Sequence, residues 1–62
     1  MKVTNGNPFY GESTMDLDIT QDQLDRFNSG VFAQDAFPDL SADGREFLIS
    51  GFTPEQYKET FG

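Results

Sequence analysis

The sequence predicts a small α+β fold, in which a short N-terminal β-strand or hairpin is followed by two to three short helices. Two observations lead to this fold class. Apolar and polar residues alternate over positions 14–20, a pattern typical of a half-buried strand. Helix-start signals then follow at Thr20, Ser41 and Thr53. Because the chain has 62 residues, we assign all of it to a single domain.

The N-terminal segment 1–13 is rich in residues that interrupt regular structure. Gly6 and Pro8 each follow an asparagine, and such dipeptides favour turns. We therefore predict a short strand near residues 2–4 that leads into a loop or tight hairpin. The alternating segment 14–20 is the second predicted strand, and its apolar side consists of Met15, Leu17 and Ile19.

Positions 21–62 are predicted to be helical. Thr20 and Gln23 have the spacing of a capping box, in which each side chain satisfies a free backbone N–H group of the other. A second apolar stretch, 31–37, precedes Pro38 and predicts a short helix or a turn, because proline disfavours helical geometry in the residue before it.

The last two predicted helices are joined by residues 51–53 alone. Ser41 is the N-cap of the first, and Thr53, followed by Pro54, is the N-cap of the second. A connection of this length predicts an αα-hairpin. We expect its aromatic residues to share one cluster, comprising Phe47, Phe52, Tyr57 and Phe61.

The charge of the chain indicates which partners it attracts. Four Lys and Arg against eleven Asp and Glu give a formal net charge of −7. Phosphate backbones and anionic membranes repel such a chain, so we expect neither direct nucleic-acid binding nor membrane binding. A protein with a basic surface would attract it. No apolar run resembles a signal peptide or a membrane span, which predicts a cytoplasmic location.

The composition also argues against enzymatic activity and metal binding. With no Cys and no His, the chain lacks thiolates, imidazole bases and the usual zinc ligands. The carboxylates do not have the spacing of a calcium loop, and a domain of this size has little room for a substrate pocket. We therefore predict no enzymatic activity, no metal site and no cofactor.

Two groups of residues are the candidate partner-binding sites. An acidic ridge could imitate a run of phosphates, since side chains two residues apart on a strand are ~6.7 Å apart. The alternative is that these are ordinary solvated carboxylates that favour helix N-termini. Phe32 and Phe37 are the candidate aromatic anchors, although both could instead fill the small core. The acidic ridge consists of Glu12, Asp16, Asp18, Asp22 and Asp25.

From position 14 to 62 the chain resembles small phage-encoded proteins of uncharacterised function. The residues that carry this resemblance are Thr14-Met15-x-Leu17-x-Ile19-Thr20-x-x-Gln23-Leu24, Gln34-Asp35-Ala36-Phe37-Pro38-x-Leu40-Ser41, Arg45-Glu46-Phe47 and Ser50-Gly51-x-Thr53-Pro54-Glu55. In addition, Glu12-Ser13 before the predicted strand is similar to the Glu-Ser-Ile strand of uracil-DNA glycosylase inhibitors, with Thr14 where they have isoleucine.

These resemblances imply a viral or mobile-element origin, for a protein that acts in the cytoplasm of a host cell. The first hypothesis is an inhibitor that binds a host protein, as a DNA mimic against a nucleic-acid-binding enzyme. The alternative is a virion structural or assembly accessory that acts through an aromatic interface with a viral protein or with copies of itself, as a homo-oligomer.

Overall fold

An antiparallel β-hairpin followed by four short helices forms the fold. The computed structural model describes all residues, 1–62, and confirms the predicted α+β class. The strands are β1 (Lys2–Asn7) and β2 (Gly11–Asp16), and the helices are α1 (Gln21–Asn28), α2 (Ala33–Ala36), α3 (Ala42–Ser50) and α4 (Pro54–Phe61). None of these helices is long and apolar enough to cross a membrane.

The hairpin occupies most of segment 1–13, where a short strand near residues 2–4 and a loop or tight hairpin were predicted, and its first strand is longer than expected. Gly6 lies inside β1, and the chain reverses over positions 8–10. Asn7 directs this reversal, because its side-chain oxygen accepts hydrogen bonds from the backbone N–H groups of Phe9, at 3.0 Å, and Tyr10, at 2.9 Å. Of the two turn dipeptides in this segment, Asn7-Pro8 therefore marks the turn, whereas Asn5-Gly6 lies within β1.

The second strand is shorter than the predicted strand 14–20 and begins earlier. It ends at Asp16, which pairs with Lys2 at the start of β1. Beyond it, the Ile19 N–H group bonds to the Leu17 carbonyl oxygen at 2.9 Å, which bends the chain away from the sheet. Leu17 and Ile19 are nevertheless buried. The alternating pattern thus identified the inward-facing residues but not the conformation of 17–20.

All three predicted helix starts are present. Thr20 accepts a hydrogen bond from the Gln23 N–H group and donates its own N–H to the Gln23 side chain, so the capping box is complete. Thr53 forms the same arrangement at the start of α4, and the Ser41 hydroxyl accepts from the Gly44 N–H group at 3.2 Å at the start of α3. Each cap satisfies backbone donors that no helix can satisfy internally.

The hydrophobic core lies between the hairpin and helices α1 to α3. Phe47 is 0% exposed at its centre. Phe37 packs beside it in the same core and contacts Phe27, with ring centroids 5.5 Å apart. Half-buried side chains such as Val3, from the inner face of β1, cover the edges of the core. The buried members of the core are Leu17, Ile19, Ala33, Ala36, Phe37, Phe47 and Leu48.

The junction of α3 and α4 rests directly on the hairpin. Gly51 ends α3 with a φ of +79°, a conformation that strongly favours glycine, and a Cβ atom there would collide with the carbonyl oxygen of Gly6. The three-residue connection predicted for the αα-hairpin is confirmed. The expected shared cluster is wrong for Phe47, because that ring lies in the core and not with Phe52.

Candidate interaction surfaces

The acidic ridge is exposed but sparser than the sequence suggested. Glu12 and Asp16 lie on the outer face of β2 with Thr14 between them, so about 13 Å of strand separates the two acidic residues. Asp18 follows in the bend after the strand. Asp16 is also partly neutralised, because its Oδ1 atom lies 3.0 Å from the N-terminal amine and its residue pairs with Lys2 across the hairpin.

The other two ridge residues lie on α1 and serve that helix. Asp22 is in the first turn, where a carboxylate interacts favourably with the helix dipole. Asp25 accepts a hydrogen bond from the Gln21 side-chain amide at 2.9 Å, one turn away. Both residues are exposed and neither forms an ion pair. The solvated-carboxylate interpretation explains their positions, while their charges stay available to a partner.

Of the two predicted aromatic anchors, one is exposed and one is buried. Phe32 is 76% exposed and borders a shallow depression that also includes Arg45 and the exposed Ile49. Phe37 is only 1% exposed, so its prediction as a surface anchor is wrong. The reason is that Phe37 directly follows the buried face of α2 and packs against Phe27.

The largest group of exposed aromatic residues lies elsewhere, at the tip of the hairpin. Phe52 is its buried centre, and the other rings surround it at centroid distances of 5.4 Å (Phe61), 5.9 Å (Phe9), 6.3 Å (Tyr10) and 6.5 Å (Tyr57). Phe9 is 71% and Phe61 61% exposed. We call this group the tip cluster: Phe9, Tyr10, Phe52, Tyr57 and Phe61.

Hydrogen bonds hold the two parts of the tip cluster together. The Asn7 side-chain amide donates to the Gly51 carbonyl oxygen at 3.0 Å and to the Gln56 side-chain oxygen at 3.1 Å. At the surface, the Tyr10 hydroxyl donates to a Glu59 carboxylate oxygen at 3.3 Å. Asn7 is itself buried and also forms the hairpin turn. One side chain thus positions both the loop carrying Phe9 and the start of α4.

The contribution of the hairpin tip to this cluster was not predicted from the sequence. Phe52, Tyr57 and Phe61 were correctly predicted to share a cluster, but no prediction placed Phe9 or Tyr10 beside them. A signal was present in Asn7-Pro8, because an asparagine before a turn often bonds to the backbone N–H groups that follow. Asn7 also donates hydrogen bonds to Gly51 and Gln56, which lie 44 and 49 positions later in the chain. No local sequence pattern predicts these two bonds.

A cleft of about 570 Å³ separates α3 from α4. Asp43 and Glu46 lie on the α3 wall, Lys58 lies on the α4 wall, and Phe52 and Tyr57 contribute aromatic surface. Because the two helices enclose this space, they form an open αα-hairpin and do not pack along their whole lengths. No cluster of three or more carboxylates has the geometry to hold a metal ion.

Comparisons with known proteins give no further assignment. No protein-family model matches the chain, and no match was found among curated proteins or among solved structures. The fold and the surfaces therefore define the class of protein as a small, acidic α+β domain with an exposed aromatic cluster. The resemblances to phage proteins and to uracil-DNA glycosylase inhibitors stay predictions.

Proposed function

We propose that this chain is a phage-type inhibitor that binds a basic surface of a host protein and has no enzymatic activity of its own. The observation that supports it best is the number of free carboxylates. The only ion pair in the structure joins Asp16 to the N-terminal amine, although the chain carries eleven acidic residues. The remaining negative charges are available to attract a basic partner and to accelerate encounter.

Binding to a basic surface can block whatever that surface normally holds, and on many proteins that is DNA or RNA. In this form of the proposal, the acidic ridge occupies a phosphate-binding site. The about 13 Å separation along the strand between Glu12 and Asp16 is several times the ~3.4 Å of helix axis per phosphate of one DNA strand. Mimicry would therefore rest on the general negative potential more than on a close phosphate-by-phosphate match.

Affinity capture from bacterial lysate tests the proposal. The tagged chain is incubated with lysate, washed at about 0.05 M or about 0.5 M NaCl, and the bound proteins are identified by mass spectrometry. We expect a specific basic protein that is released at the higher salt concentration, because screening weakens electrostatic attraction. An excess of duplex DNA should compete for the same protein if the chain is a DNA mimic.

Charge-reversal variants supply the matched control. Glu12→Lys with Asp18→Lys reverses two ridge charges, whereas Asp35→Lys with Glu55→Lys changes the net charge equally at exposed sites outside the ridge. The ridge pair should lose the partner at low salt, and the control pair should retain most of it. Equal losses would mean that total charge matters and that the ridge is not a site.

A second function is favoured by the tip cluster. Four exposed aromatic side chains around a buried phenylalanine are what an aromatic protein interface would require, as in a virion assembly accessory or a homo-oligomer. Such an interface would depend little on salt. Sedimentation of the purified chain, and capture that survives about 0.5 M NaCl, would favour this function over inhibition through the ridge.

A further inference from the structure

The cleft between α3 and α4 combines aromatic surface on one side with acidic side chains on the other. Its volume of about 570 Å³ lies within the ~300–1,000 Å³ of typical ligand sites. Phe52 and Tyr57 provide ring surface, and their rings lie at 87° to one another with centroids 6.5 Å apart. One side of the cleft is therefore aromatic.

The acidic side of the cleft is unpaired. Asp43 is exposed and Glu46 is half-buried, and neither carboxylate accepts a side-chain hydrogen bond or forms an ion pair. Arg45, next to Glu46 in the chain, instead donates to the Leu40 carbonyl oxygen at 3.0 Å. Lys58 is the only cationic residue at the cleft, so the two carboxylates leave it negatively charged.

We propose that this cleft receives an arginine side chain from a basic segment of the partner protein, an inference that rests on the proposed function. A guanidinium group is planar, so it can stack on an aromatic ring while its N–H groups bind a carboxylate in a bidentate manner. Lysine offers neither the plane nor the fork. The juxtaposition of Tyr57 and Phe52 with Asp43 and Glu46 thus suits arginine better than lysine.

Backbone amide NMR of the ¹⁵N-labelled chain tests this assignment with a defined probe. The probe is the peptide acetyl-Leu-Arg-Leu-Arg-Leu-amide, and its comparison peptide has lysine at both arginine positions. We expect the arginine peptide to shift the amide signals of residues 43–46 and 57–58 and to bind about threefold or more tightly than the lysine peptide. The dispersion of the same spectra reports that each variant is folded.

Two neutral variants make the test specific. Asp43→Asn with Glu46→Gln should weaken binding of the arginine peptide about tenfold, whereas Asp35→Asn with Glu55→Gln, which removes the same two residue types elsewhere, should change it less than about twofold. Lys58→Gln should strengthen binding, because it removes the competing cation from the cleft wall.

The possible outcomes test the cleft assignment and the proposed function separately. If the peptide shifts residues of the acidic ridge and not those of the cleft, or if the two neutral variants weaken binding equally, the cleft assignment is overturned while binding to a basic partner still stands. Absence of any shift also overturns the cleft. In that case salt-sensitive capture from lysate, which does not depend on this peptide, decides the function separately.

Discussion

The central core and the tip cluster both contain several aromatic residues, but these residues differ in burial and in role. In the core, the rings of Phe37 and Phe47 are almost completely buried among aliphatic side chains. In the tip cluster only Phe52 is buried, and the rings around it are between 42% and 71% exposed. Burying apolar area stabilises a fold, whereas apolar area left exposed on a rigid frame is available to a partner. We infer that the core maintains the fold and that the tip cluster is a contact surface.

The largest expected effect comes from emptying the core. Phe47→Ala removes a ring that is 0% exposed, and comparable substitutions lower the free energy of unfolding by about 3–5 kcal/mol. Because the core of a domain of this size supplies little more than that, the variant should be largely unfolded at 25 °C. Urea unfolding followed by circular dichroism measures this, with Phe61→Ala as the exposed aromatic control.

The glycine that joins the two regions gives the next effect. Gly51→Ala would place a Cβ atom against the Gly6 carbonyl oxygen at a positive φ, so we expect a loss of about 3 kcal/mol or more. Gly30→Ala is the matched control, because Gly30 also has a positive φ, of +113°, but has no neighbouring atom within 4 Å of the added carbon. Equal losses in the two variants would show that backbone strain alone matters at Gly51.

Asn7 connects the tip cluster to the rest of the molecule. Asn7→Ala removes two donated and two accepted hydrogen bonds at a buried position, which should cost about 2 kcal/mol. Asn28→Ala, at the exposed end of α1, should have almost no effect. In NMR spectra, nuclear Overhauser effects between the rings of Phe9 and Phe52 should weaken in the Asn7 variant. Their persistence at full strength would mean that ring packing alone holds the tip.

The caps have a smaller and more local effect. Thr53→Ala removes the hydroxyl that accepts from the Gln56 N–H group at 3.2 Å, and loss of such a cap lowers stability by about 1 kcal/mol. Thr53→Ser keeps the hydroxyl and should be within about 0.5 kcal/mol of the original chain. If both variants lose the same amount in urea unfolding, the methyl group and not the cap stabilises this junction.

Some features of the molecule could be predicted from the sequence and others could not. The caps at Thr20 and Thr53 were predictable because a capping box is encoded within four residues. The extent of β2 was not, because it depends on its pairing with a strand that begins at Lys2. The sequence left open whether Phe37 is buried or exposed, and it gave no place to Phe9, since the surroundings of both depend on contacts beyond their own segments.

The smallest expected effect on stability belongs to the outer rings of the tip cluster. Phe9→Ser with Phe61→Ser replaces two exposed side chains, so the free energy of unfolding should change by only about 1 kcal/mol or less in total. The fold should be retained in circular dichroism and NMR spectra. Loss of the folded structure would show that these rings stabilise the fold as core residues do. That result would contradict the division between the two regions.

The most direct test of that division is partner capture by this folded double variant. The tagged variant and the original chain are compared in bacterial lysate at about 0.5 M NaCl, where binding through the acidic ridge is screened, with Ile49→Ser as a control for another exposed apolar side chain. We predict that the double variant loses the partner that the original chain and the control retain. Retention of the partner by a folded Phe9→Ser, Phe61→Ser chain would contradict the account, because the exposed rings would then serve neither folding nor binding.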